Sequence, residues 1–566
     1  MLLEIVVVIL VVYSVAMYVL DYYEKLPDWY SVSGPLALIR SQFGIASIRK
    51  ITDASPKFWK AWGTAGVVLS LVGLVVSLAL VGFSALTRLT QPASDVVFEQ
   101  PRNFLVIPGV NDFLPLSAAP EIVLALFITL VIHEGGHAIL CRVGNIDIDS
   151  TGLVLLSIIP VGAFVEPDED SQEDAVIPDR LRMFAAGVMN NIVSSIIAIF
   201  ILAALAMTII SVAPGAPVGG VLPDGPADQA QITEGDRITH INGAQVNDSS
   251  ELFSTLENSS QNVTMTVNGE ENVRVNRDVI VSSSAGINGL QTGDKIRAID
   301  GMPIGTSREF EERIENTSDY TATLTLKNGT QRDLYIGALV VVQPGSSLSK
   351  KFPTEEALVM LELEGQRIKD REDAVQQLSS YDGGKSPEFV FANPRTGEIL
   401  NGSVSTKSGS FGAQISNGAG GIQTIDLGLR FYPAEQYLNL LKIQEPADFG
   451  TVILSVLTLP VAGVVTGTGF NFAGFTPQLQ QYYTVALPLG GNVVFFVASV
   501  LFWSAWIGIN VALFNMLPTF ALDGGRIIRD TVRYILGDGQ KTEYSVYIIK
   551  GATLTLILTL VFIPVL

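Results

Sequence analysis

Three ionisable residues fall within five positions of an apolar run that extends from Ile122 to Leu140. They are His133, Glu134 and His137, in the order His133-Glu134-Gly135-Gly136-His137. A run of this length matches a helix crossing a bilayer, which takes about 20 apolar residues. In lipid only helices and closed barrels satisfy their own backbone groups, so the run commits the chain to a membrane architecture. An ionisable side chain at the bilayer centre costs about 2.5–3.5 kcal/mol on insertion scales. Short patterns do arise by chance, but three such costs in one helix point to a use.

Residues i and i+4 share a helix face. His133 and His137 can therefore offer two imidazole nitrogens to one zinc ion, with Glu134 beside them to take a proton from water. Catalytic zinc takes three protein ligands, keeps one open position, and lowers its water's pKa to about 7. Two histidines are one ligand short. The chain has only three histidines, and His240 lies far along it in a polar region. The third ligand is expected to be an Asp or Glu at membrane depth.

Composition agrees with a membrane protein that carries a soluble part. The 566 residues are 48% hydrophobic and 16% charged, with a mean hydropathy of +0.40. Net charge is −20, which argues against nucleic acid as a partner. A single cysteine, Cys141, excludes a disulfide framework and a cysteine-rich zinc module.

The apolar runs predict about six to eight membrane segments. Ile5 to Leu20 reads as a retained helix, since it lacks a basic flank and a small-residue cleavage site. Further spans are expected near 65–86, 120–140, 183–212 and 547–566. Residues 87–119 read as a loop. For 448–466 and 482–496, full spans, a re-entrant pair and surface helices remain open, ahead of a long apolar stretch ending near 517. Ser157 to Pro167 is short, β-branched and broken by Pro160 and Gly162. It reads as extended chain or a hairpin at membrane depth, where irregular backbone must be buried or line a wet cavity. The acidic run Asp168 to Asp174 reads as a solvated loop.

Residues 213–447 differ in character, being rich in Gly, Ser, Thr and Asn with strand-like alternation. A repeat is visible: Gly235-Asp-Arg-Ile-Thr-His-Ile-Asn-Gly243 matches Gly293-Asp-Lys-Ile-Arg-Ala-Ile-Asp-Gly301. Leu361 to Asp370 reads as a third, degenerate copy. The pattern resembles the strand-turn-strand of PDZ domains, which bind extended peptide at a sheet edge. The expected organisation is N-terminal helices and loops (1–119), a first core half (120–212), a tandem PDZ-like insert (213–447) and a second core half (448–566). Within the insert the copies fall at about 213–275 and 276–345, with a degenerate remainder at 346–447.

A second intramembrane charge stands in Asn515-Met-Leu-Pro-Thr-Phe-Ala-Leu-Asp523-Gly-Gly-Arg526. Asp523 there can complete a His-His-Asp zinc site, or merely cap a helix before Gly524. The two motifs together resemble those of the site-2 protease family of intramembrane zinc metalloproteases. Pro160 to Glu166 and Leu181 to Asn191 resemble that family's eukaryotic and archaeal branch, though the cysteine-rich insert of many eukaryotic members is missing. The resemblance implies a polytopic helical protein with an inserted domain. It implies His133, His137 and Asp523 as ligands of one Zn2+, with Glu134 as general base and acid. It also singles out Asn515 and Asn191, either of which can bind substrate backbone, stabilise an oxyanion or pack helices.

Positive charges in 21–60, at Arg142, Arg180 and Arg182, and at Arg526 and Arg529 predict a cytoplasmic face, leaving 213–447 outside the cell. Six Asn-x-Ser/Thr sequons, at Asn247, Asn258, Asn262, Asn316, Asn328 and Asn401, all fall in that insert. Both zinc motifs then lie toward the cytoplasmic side. The expected partners are the bilayer and membrane-anchored protein substrates, trimmed beforehand by another protease and releasing a regulator when cut. The competing expectation is a non-catalytic membrane scaffold or chaperone working through its PDZ-like modules.

Overall fold

The computed structural model describes residues 2–33, 36–42, 44–90, 107–110, 114–211, 214–269, 271–284, 289–342, 346–353, 357–381, 386–405, 413–462, 471–488, 490–520 and 522–562. Most of the expected 87–119 loop lies outside them. The chain forms two compact units, one made of Met1–Ile210 with Glu435–Leu566 and the other of Ser211–Ala434.

In the first unit, four described helical stretches are long and apolar enough to cross a membrane. They are Pro56–Leu86, Leu116–Val143, Ile177–Ala206 and Gly491–Asn515. Helices Leu2–Tyr22 and Gln540–Phe562 lie nearer the chain's two ends. Of the alternatives for 448–496, the described residues show a helix of only 11 residues, Asp448–Thr458, followed by a 3-10 turn through Pro460. At 1.5 Å per residue it spans about 17 Å, roughly half a bilayer's hydrocarbon core. The next long helix starts only at Gly491, after Pro488 and Gly490.

The helix Pro56–Thr90 shows an inverted pattern. Val68, Val72, Val75, Val76, Leu80 and Phe83 are exposed, whereas Ser70 and Ser77 are buried. Ser77 donates to the Leu513 carbonyl at 2.9 Å. Apolar outside and polar inside suits a helix whose outer solvent is lipid, where interhelical hydrogen bonds hold the bundle together.

Strands β1 (Tyr30–Ser33), β2 (Leu36–Ser41), β3 (Ile148–Leu156) and β4 (Ile159–Pro167) form an antiparallel sheet in that order. The hairpin of β3 and β4 turns at Ser157, which takes a positive φ of 59°. It occupies the segment read as extended chain. The polar N-terminal region adds β1 and β2, a pairing with no signal in its composition. The acidic run is not a loop but a helix, Glu169–Asp174, because Asp168 caps it by accepting from the Ser171 N–H at 2.8 Å. A short strand, β5 (Ile209–Ser211), follows the Ile177–Ala206 helix.

The second unit repeats one pattern three times. The first copy runs β6 (Ala216–Val221), β7 (Arg237–Ile241), β8 (Ala244–Gln245), a helix Ser249–Glu257, β9 (Asn262–Val267) and β10 (Glu271–Asn276). The second runs β11 (Val279–Ser284), β12 (Lys295–Ile299), β13 (Met302–Pro303), a helix Ser307–Asn316, β14 (Thr321–Leu326) and β15 (Gln331–Tyr335). The third runs β16 (Ala338–Val342), β17 (Ala357–Leu363), β18 (Gln366–Arg367), a helix Arg371–Leu378, β19 (Glu388–Ala392) and β20 (Ile399–Ser403).

The same local chemistry recurs in each copy. The tight hairpin uses two residues with positive φ: Asn242-Gly243, Asp300-Gly301 and Glu364-Gly365, as a two-residue turn matched to strand twist requires. The helix is capped by Asp248, Thr306 or Asp370, each accepting from the N–H three residues on. Three further strands, β21 (Ala413–Ala419), β22 (Ile422–Ile425) and β23 (Leu429–Phe431), complete the sheets. Leu427 and Leu429 are buried in the first copy's core, which contributes about 1.5–3 kcal/mol per leucine.

Candidate metal centre

The helix Ala119–Val143 carries the His-Glu motif, with Pro120 and Glu121 in its first turn and Arg142 in its last, the charge order its dipole favours. Its two glycines differ. A Cβ on Gly136 would lie 2.7 Å from Asn190 Nδ2 and 2.8 Å from the Ala186 carbonyl, whereas one on Gly135 would meet nothing within 4 Å. Gly136 thus lets the helix Ile177–Ala206 approach closely and sets the depth of the histidines against it.

Three donor atoms converge. His133 Nε2 and His137 Nε2 are 3.1 Å apart. Asp523 Oδ2 lies 3.2 Å from the first and 3.4 Å from the second. A tetrahedral zinc ion with bonds of about 2.0–2.1 Å places neighbouring ligand atoms roughly 3.3 Å apart, so the triangle fits. His137 Nδ1 sits 2.8 Å from the Met183 carbonyl and donates to it, which leaves Nε2 a bare lone pair. Asp523 is buried and its Oδ2 accepts no hydrogen bond. A buried carboxylate oxygen that accepts no hydrogen bond and faces two imidazole nitrogens suits a cation ligand set, since buried polar atoms otherwise find donors.

Asp523 reaches this point because the helix Gly491–Asn515 ends just before Pro518 and the chain doubles back. Asp523 then opens the helix Asp523–Leu536 as its first residue. It is not serving as the cap, a position held by Leu522. The two glycines after it are required by the fold-back. A Cβ on Gly524 would lie 2.3 Å from the Met516 carbonyl, and one on Gly525 would lie 1.6 Å from that of Thr519. A buried ion pair, Arg180 Nε to Asp530 Oδ2 at 2.9 Å, ties this helix to the start of Ile177–Ala206.

Glu134 shares the cluster with both histidines, ligand atoms lying within 4.8 Å of one another. Its Oε2 accepts from the Val165 N–H of β4 at 3.1 Å. Val165 lies opposite Thr151 of β3, and its N–H points away from β3 toward the metal centre. Residues two apart on a strand share this orientation, so Ala163 presents its backbone along the same edge. A cavity of about 270 Å³ is lined by His133, Glu134, His137, Phe164, Val165, Asn515 and Asp523, among others.

The two asparagines sit differently. Asn515 lines the cavity, its Nδ2 3.2 Å from His133 Nε2. Asn191 is fully buried behind the ring, with Nδ2 3.1 Å from His133 Nδ1 and Oδ1 lacking a donor. Two nitrogens facing each other while an oxygen goes unpaired marks an amide better turned by half a rotation. Oδ1 then accepts the proton that Nδ1 carries when Nε2 faces a metal. Asn191 does not line the cavity and reaches the metal centre through His133 Nδ1.

A residue that sequence reasoning missed is Gly187. A Cβ there would lie 2.5 Å from His133 Nε2 and 2.6 Å from His137 Nε2. Gly187 lies in the Leu181 to Asn191 segment that carries the family resemblance, but nothing in the sequence set it apart there. Cys141 is buried and free. His240 lies on β7 of the second unit.

Comparison with protein families matches peptidase family M50 over residues 121–559. The chain belongs to this family, that of the site-2 protease. The match begins at the His-Glu helix and takes in the Asp523 helix, so both halves of the metal centre fall inside it. The four described helices long and apolar enough to cross a membrane agree with a multi-pass membrane protein of this family. An uncharacterized protein of Methanocaldococcus jannaschii is 27% identical over 162 residues, covering 28% of this chain and 41% of that protein. The chain thus matches less than half of that relative's length.

Proposed function

We propose that the protein is a zinc endopeptidase that cuts peptide bonds inside transmembrane segments of membrane-anchored proteins. The observation that carries this reading is the convergence of His133 Nε2, His137 Nε2 and Asp523 Oδ2 beside a carboxylate held at a strand edge. These three residues would hold the zinc, and bound zinc supplies an acidified water and polarises a carbonyl.

The remaining chemistry belongs to the chain. A substrate helix must unwind to expose a carbonyl, and the outward edge of β4 at Ala163 and Val165 offers it a strand to pair with. Pairing there takes up the Val165 N–H and frees the Glu134 carboxylate. Glu134 accepts a proton from the attacking water and passes it to the leaving amine. Asn515 Nδ2 donates to the carbonyl oxygen as negative charge develops on it. Asn191 and the Met183 carbonyl hold the two imidazole rings in the tautomer that binds metal.

The three repeated modules support a PDZ-like reading of the insert, and the charge pattern supports an insert outside the cell with the metal centre toward the cytoplasm. The insert would screen substrates already trimmed by another protease, and cleavage would release a regulator. The test is the purified Glu134→Gln protein. It should retain one zinc per chain yet leave a membrane-anchored substrate intact. Cleavage by that variant sinks the assignment, and a wild type without zinc favours a scaffold.

A further inference from the structure

A sheet that accepts a peptide by strand addition needs a first strand with a bare edge and an apolar groove beside its helix. In all three modules the edge is paired, and the core beside the helix receives a side chain, from consecutive pieces of one stretch of the same chain. β23 pairs with β6, β22 with β11, and β21 with β16, so the stretch serves the modules in reverse order. We propose that residues 413–431 are the built-in ligand of the three modules and close every edge at which an extended partner would join.

The contacts are those of a bound peptide. In the first module, Leu222 and Ala227 donate their N–H groups to the Gly428 and Leu427 carbonyls at 2.8 and 3.0 Å. Tyr432 N–H returns a bond to the Pro217 carbonyl at 2.9 Å. Phe431 stands edge-on to Phe253 of the module's helix, ring centres 5.5 Å apart. Each core takes a side chain from the stretch: Leu427 and Leu429 in the first, Ile422 in the second and Ile415 in the third.

Between β22 and β23 sits a lock. Asp426 pairs with Arg277, whose side chain is 2% exposed, and also accepts from the Ser307 N–H that opens the second module's helix. Arg277 spends its other donors on the Leu256, Ser259 and Ser260 carbonyls of the first module. Releasing Asp426 would leave a buried guanidinium without its counter-charge, so the stretch is an integral strand and not a loose lid. Exposed sheet edges invite foreign strands, and covering them is a recognised protection. The insert therefore meets partners by its bulk and its outer surfaces. This holds whatever the metal centre does.

Hydrogen exchange on the full-length chain in detergent tests it, together with a fluorescent peptide copying residues 421–432. In the wild type, the Leu222 and Ala227 amides should exchange as slowly as the β7 amides, and the peptide should not bind. The triple variant Asp426→Ala, Leu429→Ala, Phe431→Ala should lose protection at Leu222 and Ala227 and gain peptide binding. Protection of β7 reports whether that variant remains folded, and if it does not, Leu429→Ala alone replaces it. Fast exchange of Leu222 and Ala227 in the wild type, or wild-type binding of the peptide, overturns the proposal. So does a folded variant that keeps its protection.

Discussion

Asp523 Oδ2 lies 3.2 Å from His133 Nε2 and accepts no hydrogen bond from it. Two lone pairs held face to face in a buried site repel unless a cation lies between them. Asp523→Ala should therefore abolish metal binding, whereas a carboxylate acting only as a helix cap would leave it intact. Elemental analysis of the purified variant should find little zinc, against one per chain in the wild type. A full zinc complement in the variant would remove Asp523 from the ligand set.

Gly187 makes a sharper probe because it holds no metal itself. Alanine there puts a methyl group about one bond length too close to both histidine rings. Interiors give way little to such overpacking, at a cost of about 1–3 kcal/mol. Gly187→Ala should thus lose zinc or bind it at least tenfold more weakly, while Gly135→Ala, which meets nothing within 4 Å, should bind it normally. Equal affinities for the two variants would contradict the packing described.

Asn191 touches the metal centre only through His133 Nδ1. Removing such an outer partner typically costs roughly 10–100-fold in metal affinity. Asn191→Ala should show that loss in a competition titration with a zinc chelator, and Asn191→Asp should restore most of it by accepting the same proton. A role on substrate predicts instead a raised KM at unchanged zinc affinity.

The insert carries a pH-dependent strain. The Glu311 carboxyl is partly desolvated at the groove, although the residue as a whole is exposed, and it also faces Glu315, Asp426 and Glu257. Both effects raise its pKa above the unfolded value. The folded state therefore binds this proton more tightly, and stability falls as pH rises through the carboxyl's titration range. Glu311→Gln should raise the insert's melting temperature at neutral pH, with the difference shrinking in acid. An unchanged or lowered melting temperature at neutral pH would refute this.

The candidate site residues could be seen in the sequence because ionisable residues in apolar runs are conspicuous one at a time. His133, Glu134, His137 and Asp523 needed no knowledge of packing. The third module showed itself through Leu361 to Asp370, and Glu364-Gly365 takes the same turn as Asn242-Gly243. Other features stayed hidden for physical reasons. Gly187 matters through the side chain it lacks. Asn191 could not be tied to His133 until the distance between them was known. Strands β21 to β23 pair with partners far away in sequence, and no local pattern encodes such pairing. The helix Asp448–Thr458 was ambiguous because apolar composition alone does not show where Pro460 breaks it.

The central claim is cleavage within the membrane, and comparing cells that carry the wild type with cells that carry Glu134→Gln tests it most directly. Mapping new peptide termini in their membrane fractions would locate each cut. The account predicts termini inside a transmembrane segment of at least one anchored protein, present in the wild type and missing in Glu134→Gln, with the uncut fragment accumulating. Identical termini in the two cell lines would contradict it.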